Sequence, residues 1–402
     1  MRRRTLALAA TLAVTAGAAA AGCSGAQEPP GAEVAGPSAA GTLGTSPEAR
    51  MPSVPRPDAC ATATLRAMSL REQAGQLVLV GVAAGRPDQA ADVVSREGVA
   101  GVFLRGRTTR SLADLRRRIG RLRDAAGTSA PGLFVAVDQE GGVVRTLRGP
   151  GFTDVPAAGE QARMPVDRVR ALTGEWAAEL ADAGVNLDLA PVADTVPAGR
   201  EESNPPIGAH GRQFGAEPDA VARRVSAVSA ALRSHGVLPT VKHFPGLGRV
   251  RVNTDTGRGA VDRTADASDP HLAPFAAGVR AGAGAVMISS ATYPQLDPRH
   301  PAVFSPVVID NLLRTGLGWN GLVVSDDVAV AEAVRHVPLW RRAVDFVAAG
   351  GDLVLTVRSE YAGPMVAALV LRAERDEAFR ARVAESAGRV LQAKRSVGLL
   401  SC

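Results

Sequence analysis

Eight short apolar runs recur along the chain, each followed by a stretch long enough for a helix. They read QLVLVGVA (76–83), VAGVFLRG (99–106), GLFVAVDQE (132–140), VNLDLAPVAD (185–194), GVLPTVKHF (236–244), GAVMISSA (284–291), GLVVSDD (321–327) and GDLVLTV (351–357). Within each run the apolar residues follow one another instead of alternating with polar ones. A half-buried strand alternates, whereas a parallel strand covered on both faces reads as a continuous run. The stretches between carry helical spacing. DAVARRVSAVSAALRSHG (219–236) is one, and it closes on a glycine suited to a helix C-terminus. Strand–helix units repeated eight times predict an α/β fold, a (β/α)8 TIM barrel. A doubly wound sheet is the alternative, but no glycine-rich nucleotide fingerprint follows the first run.

The polar residues that end these runs carry the chemistry. Asp138 and Glu140 end the third run, Asp194 the fourth, Lys242 and His243 the fifth, and Asp326 and Asp327 the seventh. The C-terminal ends of barrel strands converge on one mouth, where active sites form. A single such Asp could equally be a helix cap, but ionisable groups on several strands together point to a site. Lysine occurs only at 242 and 394, while arginine abounds. An ammonium kept at 242 against that bias suggests a need for a compact charge there.

The other features narrow the partners. The net charge of +6 is spread out, and the densest basic run of the domain, RRRIGRLR (116–123), fits a solvated helix face. No nucleic-acid partner is expected. His210, His235, His271, His300 and His336 show no metal-ligand spacing, so neither a metal nor a cofactor is expected. A serine-hydrolase elbow, G-x-S-x-G, is missing.

The N-terminal part reads differently. Residues 1–22 combine MRRR with a run of small apolar residues, as in a secretory leader, and are too weakly hydrophobic to favour a permanent span. The AAGC that ends at Cys23 resembles a bacterial lipobox, with Ala20 where leucine is usual. Lipidation of Cys23 would anchor the chain to a membrane from outside the cytoplasm, at the bacterial cell surface. The alternative is a plain leader cut elsewhere. Residues 23–57 are rich in Pro, Gly, Ala and Ser and read as a flexible tether. The barrel domain then spans 58–402. Outside the cytoplasm a disulfide is permitted, and a closed barrel brings its ends together, so Cys60 and Cys402 are expected to pair. Unpaired thiols are the alternative.

The chain resembles glycoside hydrolase family 3, in its single-domain β-N-acetylhexosaminidase branch. The likeness rests on VDQEGG (137–142), NLDLAPVAD (186–194), IGAHGRQFG (207–215), KHFPG (242–246) and GLVVSDD (321–327), in the family's order and spacing. The second domain of the family's larger β-glucosidases is not expected. The resemblance implies a carbohydrate substrate and retaining hydrolysis through a glycosyl-enzyme intermediate. It implies Asp326 as nucleophile and Asp327 as the neighbour that fixes the loop, with an exchange of those two roles as the alternative, and Asp138, Arg212, Lys242 and His243 as the grip on sugar hydroxyls. Where the family often has an arginine, this chain has Thr146; either Arg145 or Arg148 substitutes, or that contact is lost.

One departure is larger. The branch usually carries KHFPGHG and then DSH, whose histidine is the acid/base. This chain reads KHFPGLGRVRVNTDTG, with Leu247, Asn253, Thr254 and Asp255 at those places in an ungapped alignment. The histidine is gone in either register. Asp255 is therefore the candidate general acid, since most glycosidases use a carboxylic acid for this step. A neighbouring carboxylate and apolar contacts would raise its pKa from the usual ~3.9. The loop 246–259 is expected to be mobile and to close over substrate. The expected activity is a retaining exo-β-N-acetylhexosaminidase acting on cell-wall fragments or extracellular glycans. The alternatives are an exo-β-glycosidase for another sugar and a non-catalytic glycan-binding lipoprotein. Oligomeric state is not legible.

Overall fold

The computed structural model describes residues 58–127 and 131–402. The leader, Cys23 and the tether therefore lie outside the described residues. Eight parallel strands form one sheet: β1 (Val78–Ala83), β2 (Gly101–Arg105), β3 (Phe134–Val137), β4 (Leu187–Asp188), β5 (Leu238–Phe244), β6 (Ala285–Ile288), β7 (Leu322–Ser325) and β8 (Val354–Thr356). Each lies in one of the eight apolar runs. Strand β1 pairs with β2 on one side and β8 on the other. The ring closes where Val324 bridges Leu353 in parallel and Ser325 N–H donates to Leu353 O at 3.0 Å. The fold is the (β/α)8 barrel.

Continuous apolar runs give two cores, because alternate residues of one strand face opposite sides. Leu79, Phe103, Leu187, Leu238, Met287, Val324 and Leu355 fill the barrel interior. Val78, Val80, Val102, Val135, Val241 and Val323 pack outward against the helices. Fully burying each such side chain contributes ~1.5–3 kcal/mol. Gly101 is forced by the close approach of β2 and β3, since a Cβ there would lie 2.1 Å from Phe134 O.

Helices complete each unit, among them α1 (Leu112–Ala126), α2 (Val166–Ala183), α3 (Pro218–Ser234) and α4 (Glu377–Ser396). Helix α1 holds the basic run. It buries Leu115, Ile119 and Leu122, while Arg118 and Arg121 reach Asp88. The fourth run is the least strand-like. Its ladder is two residues long, the Ala190–Pro191 peptide is cis, and pairing resumes as a single bridge from Val192 to Lys242. Cys60 and Cys402 are joined by a disulfide with Cα atoms 5.8 Å apart. Among the described residues, no helix is long and apolar enough to cross a membrane.

Candidate active site

The barrel mouth holds a cavity of about 340 Å3. Asp138, Arg212, Lys242, His243, Asp255 and Asp326 all line it, with Phe103, Leu247 and Met287 supplying apolar walls. These six residues thus reach one space, although they come from separate strands and loops.

The polar lining of the mouth is built on paired charge. Lys242, at the end of β5, is 2% exposed. Its Nζ lies 2.6 Å from both Asp138 Oδ1 and Glu140 Oε1. Arg212 donates to both oxygens of the same Glu140, Nε at 2.8 Å and Nη2 at 2.7 Å. Its Nη1 donates to Pro206 O at 2.7 Å. Burial alone would raise the Glu140 pKa, but Arg212 and then Lys242 overcome it and hold the group at about 2. For Lys242 burial acts downward, and the attraction of Asp138 and Glu140 wins, so its pKa is raised. Two carboxylates and two cations leave the cluster balanced.

Glu140 is therefore the hub that aims Lys242 and Arg212. The sequence located it at a strand end and assigned it no role. Asp188 was missed outright. It is fully buried on β4, accepts from Gln139 N–H at 3.0 Å through Oδ1, and its Oδ2 has no partner. Burial pushes it to about 8, so it sits as a neutral acid beside the charged cluster. The only hint in the sequence was an Asp inside an apolar run.

His243 is set by Asp194. That buried carboxylate accepts from His243 Nδ1 at 2.7 Å and from Leu247 N–H at 2.6 Å. One acid thus orients the imidazole and pins the start of the following loop. The Lys242–His243 peptide is cis.

The two aspartates of β7 divide their work. Asp327 Oδ1 accepts from Ala329 and Val357 N–H, and its Oδ2 from Val330 N–H, each at 3.0 Å. Asp326 accepts one protein bond, from Asp327 N–H at 2.9 Å. Asp327 is spent on loop geometry, and Asp326 is left facing the cavity.

The loop that carries Asp255 differs from expectation. It is pinned rather than loose. Asn204 Nδ2 donates to Leu247 O and Val250 O at 2.8 and 2.7 Å. Arg249 pairs with Asp262 and Asp269. Gly248 packs so tightly that a Cβ would meet Thr195 O. Glu332 N–H donates to Asp255 O at 3.2 Å and Ala333 N–H to Thr254 O at 3.0 Å. These bonds hold Asp255 on the β7 side of the mouth. Buried Leu247 and Val250 anchor a segment whose glycines and arginines suggested freedom.

Asn253 Oδ1 accepts from the Asp255 backbone N–H at 2.8 Å, so it shapes the turn and leaves the carboxylate free. Asp255 is open to the cavity, yet protein atoms crowd it. That desolvation, and then the Asp326 charge, raise it to about 6. Arg145 and Arg148 do not line the cavity. Arg145 turns to Thr153 O and Asp154, and Arg148 to Arg145 O and Val143 O. Among the described residues no cluster could hold a metal ion, and His243 is the one imidazole lining the cavity.

Comparison with known proteins agrees with this geometry. A family model described as "Glycosyl hydrolase family 3 N terminal domain" matches residues 69–393. The chain is 34% identical over 296 residues to a β-hexosaminidase of Stenotrophomonas maltophilia, covering 71% of this chain and 84% of that protein. Among solved structures, the β-N-acetylhexosaminidase of Beutenbergia cavernae is 43% identical with a TM-score of 0.80, over 82% of this chain and 99% of that one. The family 3 β-N-acetylglucosaminidase of a Paenibacillus species is 28% identical with a TM-score of 0.74, over 83% of this chain and 63% of that one.

Proposed function

The chain belongs to glycosyl hydrolase family 3, and on that footing we propose that it is a retaining exo-β-N-acetylhexosaminidase with Asp326 as nucleophile and Asp255 as general acid/base. Asp326 attacks the anomeric carbon. Asp255, protonated, gives its proton to the leaving oxygen, and then as carboxylate takes one from the water that releases the sugar. Asp138, Lys242 and His243 hold hydroxyls of the sugar, and their bonds tighten as the ring takes on oxocarbenium character. Arg212 acts chiefly by fixing Glu140, and through it Lys242.

The observation that carries this reading is the pairing of Asp255 with Asp326 on one side of one cavity, with Asp255 raised to about 6. An acid that must be protonated near neutrality needs such a shift. The missing histidine is thereby replaced by a group suited to the same step. The test is hydrolysis of an aryl β-N-acetylglucosaminide and a natural disaccharide. Asp326→Ala is expected to abolish both. Asp255→Ala is expected to hurt the disaccharide far more, because an aryl leaving group needs little acid help. Equal rates for wild type and Asp255→Ala on the disaccharide would place the acid elsewhere.

The location belongs to the same proposal. A leader ending in a lipidated Cys23, followed by a flexible tether, would present the barrel outside the cytoplasm to cell-wall fragments. Mass spectrometry of membrane-extracted protein with and without Cys23→Ser tests it. An unmodified Cys23 in the extract would end this reading.

A further inference from the structure

A second groove, of about 370 Å3, opens beside the catalytic cavity. Phe103 and Asp138 line both spaces, so the two adjoin. The rest of the groove comes from the loops after β2 and β3, notably Arg107, Val143, Arg145 and Thr146. Its place in the ring matters. Strand β3 stands four strands from β7 in a closed ring of eight, hence across the mouth from it. Asp326 follows β7, and the loop carrying Asp255 is hydrogen-bonded to the segment after β7. The scissile bond therefore lies on the β7 side. A sugar held by Asp138 points its far end, away from that bond, toward the groove.

The groove is basic. Asp138, whose charge Lys242 already meets, is its one acidic lining residue. Arg107 is exposed and makes no ion pair among the described residues; its Nη2 donates to Val143 O at 2.9 Å. That bond orients the guanidinium and leaves other N–H groups free. Arg145 lies beside it, paired with Asp154. Behind both, Arg148 is pushed down by burial and then by repulsion from Arg107 and Arg145. A plain hexosamine would offer this corner nothing but neutral hydroxyls.

We propose that the groove is a subsite for an anionic ester, sulfate or phosphate, on the glycone's hydroxyls remote from the anomeric carbon, with Arg107 as its specificity-determining residue. The inference rests on the glycosidase reading for the direction in which the sugar lies. A guanidinium meets ester oxygens with charge-assisted, often bidentate, hydrogen bonds. The groove has room for the group, and its opening toward solvent lowers the cost of desolvating it.

The test is calorimetric binding to the full-length chain. The probes are N-acetylglucosamine and its sulfate and phosphate esters, at the primary and the neighbouring secondary hydroxyl. At least one ester is expected to bind about tenfold more tightly than the plain sugar, the scale of one charge-assisted hydrogen bond. Arg107→Gln is expected to remove that preference, and Arg107→Lys to keep only the part that a point charge supplies. The ester with the larger gain identifies the natural substituent. Equal affinity for plain and charged sugars, or a preference indifferent to Arg107→Gln, would overturn the proposal. Hydrolysis of the plain aryl sugar, run alongside, judges the activity separately. A chain that cleaves nothing yet prefers the ester through Arg107 would refute the glycosidase reading and leave the subsite standing.

Discussion

Lys242 and Lys394 are the chain's two lysines, and both are buried, at opposite ends of the barrel. At the mouth, Lys242 lies between two carboxylates and its charge is reinforced. At the floor, Lys394 Nζ donates to the neutral amide of Gln76 at 2.6 Å and lies 5.6 Å from the centre of the Phe134 ring. Burial alone pushes Lys394 down to about 7. The same side chain, equally hidden, is thus held as a cation at one pole and driven toward neutrality at the other. Partner carboxylates decide which outcome prevails. Catalysis needs the first arrangement, and nothing at the floor supplies it.

That contrast can be broken at the mouth with the largest effect. Lys242→Met leaves Asp138 and Glu140 facing each other with Arg212 as their main counter-charge. A loss of ~3–5 kcal/mol in unfolding free energy is expected, as for a buried pair stripped of one partner, along with the activity. Chemical denaturation at neutral pH checks it, and a variant as stable as wild type would show that the cluster is more wetted than its geometry implies.

A smaller effect isolates Asp255, whose carboxylate is raised by burial and by the neighbouring Asp326 charge. Asp255 must be protonated to act as acid, so kcat/KM should fall as pH rises through about 6. Asp255→Asn should lower kcat/KM on a poor leaving group by ~100-fold, and its profile should lose that alkaline limb. An alkaline limb that survives the substitution belongs to another group.

The floor offers the smallest change, in the opposite direction. Between pH of about 7 and 10.5 an unfolded chain holds a proton on Lys394 that the folded chain has released, so stability climbs with pH across that window. Lys394→Met should stabilise the fold by ~1–2 kcal/mol at pH near 7. The gain should shrink toward the alkaline end. Thermal melts of both proteins across that range measure it. A variant less stable at every pH would mean that the Gln76 bond outweighs the burial cost.

Much of this was legible in the sequence, and the failures have physical reasons. Strand positions were clear because burial on both faces leaves an unbroken apolar run. The cavity's carboxylates were clear because a barrel gathers strand ends by topology alone. Glu140 as hub was not legible, because its partners stand 72 and 102 residues away, and only closure of the ring brings them within 2.8 Å. The loop carrying Asp255 misled for a related cause. Local composition announced glycine and arginine, while its anchors, Asn204 and the segment after β7, come from distant parts of the chain. Arg145 and Arg148 were offered as substitutes on proximity alone. Thr153 O and the Asp154 carboxylate claim Arg145 first, and the carbonyls of Arg145 and Val143 claim Arg148.

The burial of both lysines also turns a common protease into a probe of this molecule. A lysine-specific enzyme has two sites in the sequence, one after 242 and one after 394, and folding shuts each away at a different pole. Cleavage after 242 reports opening of the mouth, and cleavage after 394 reports loosening of the floor. The rates of the two cuts, followed under native conditions, resolve whether the ends of the barrel breathe together or apart.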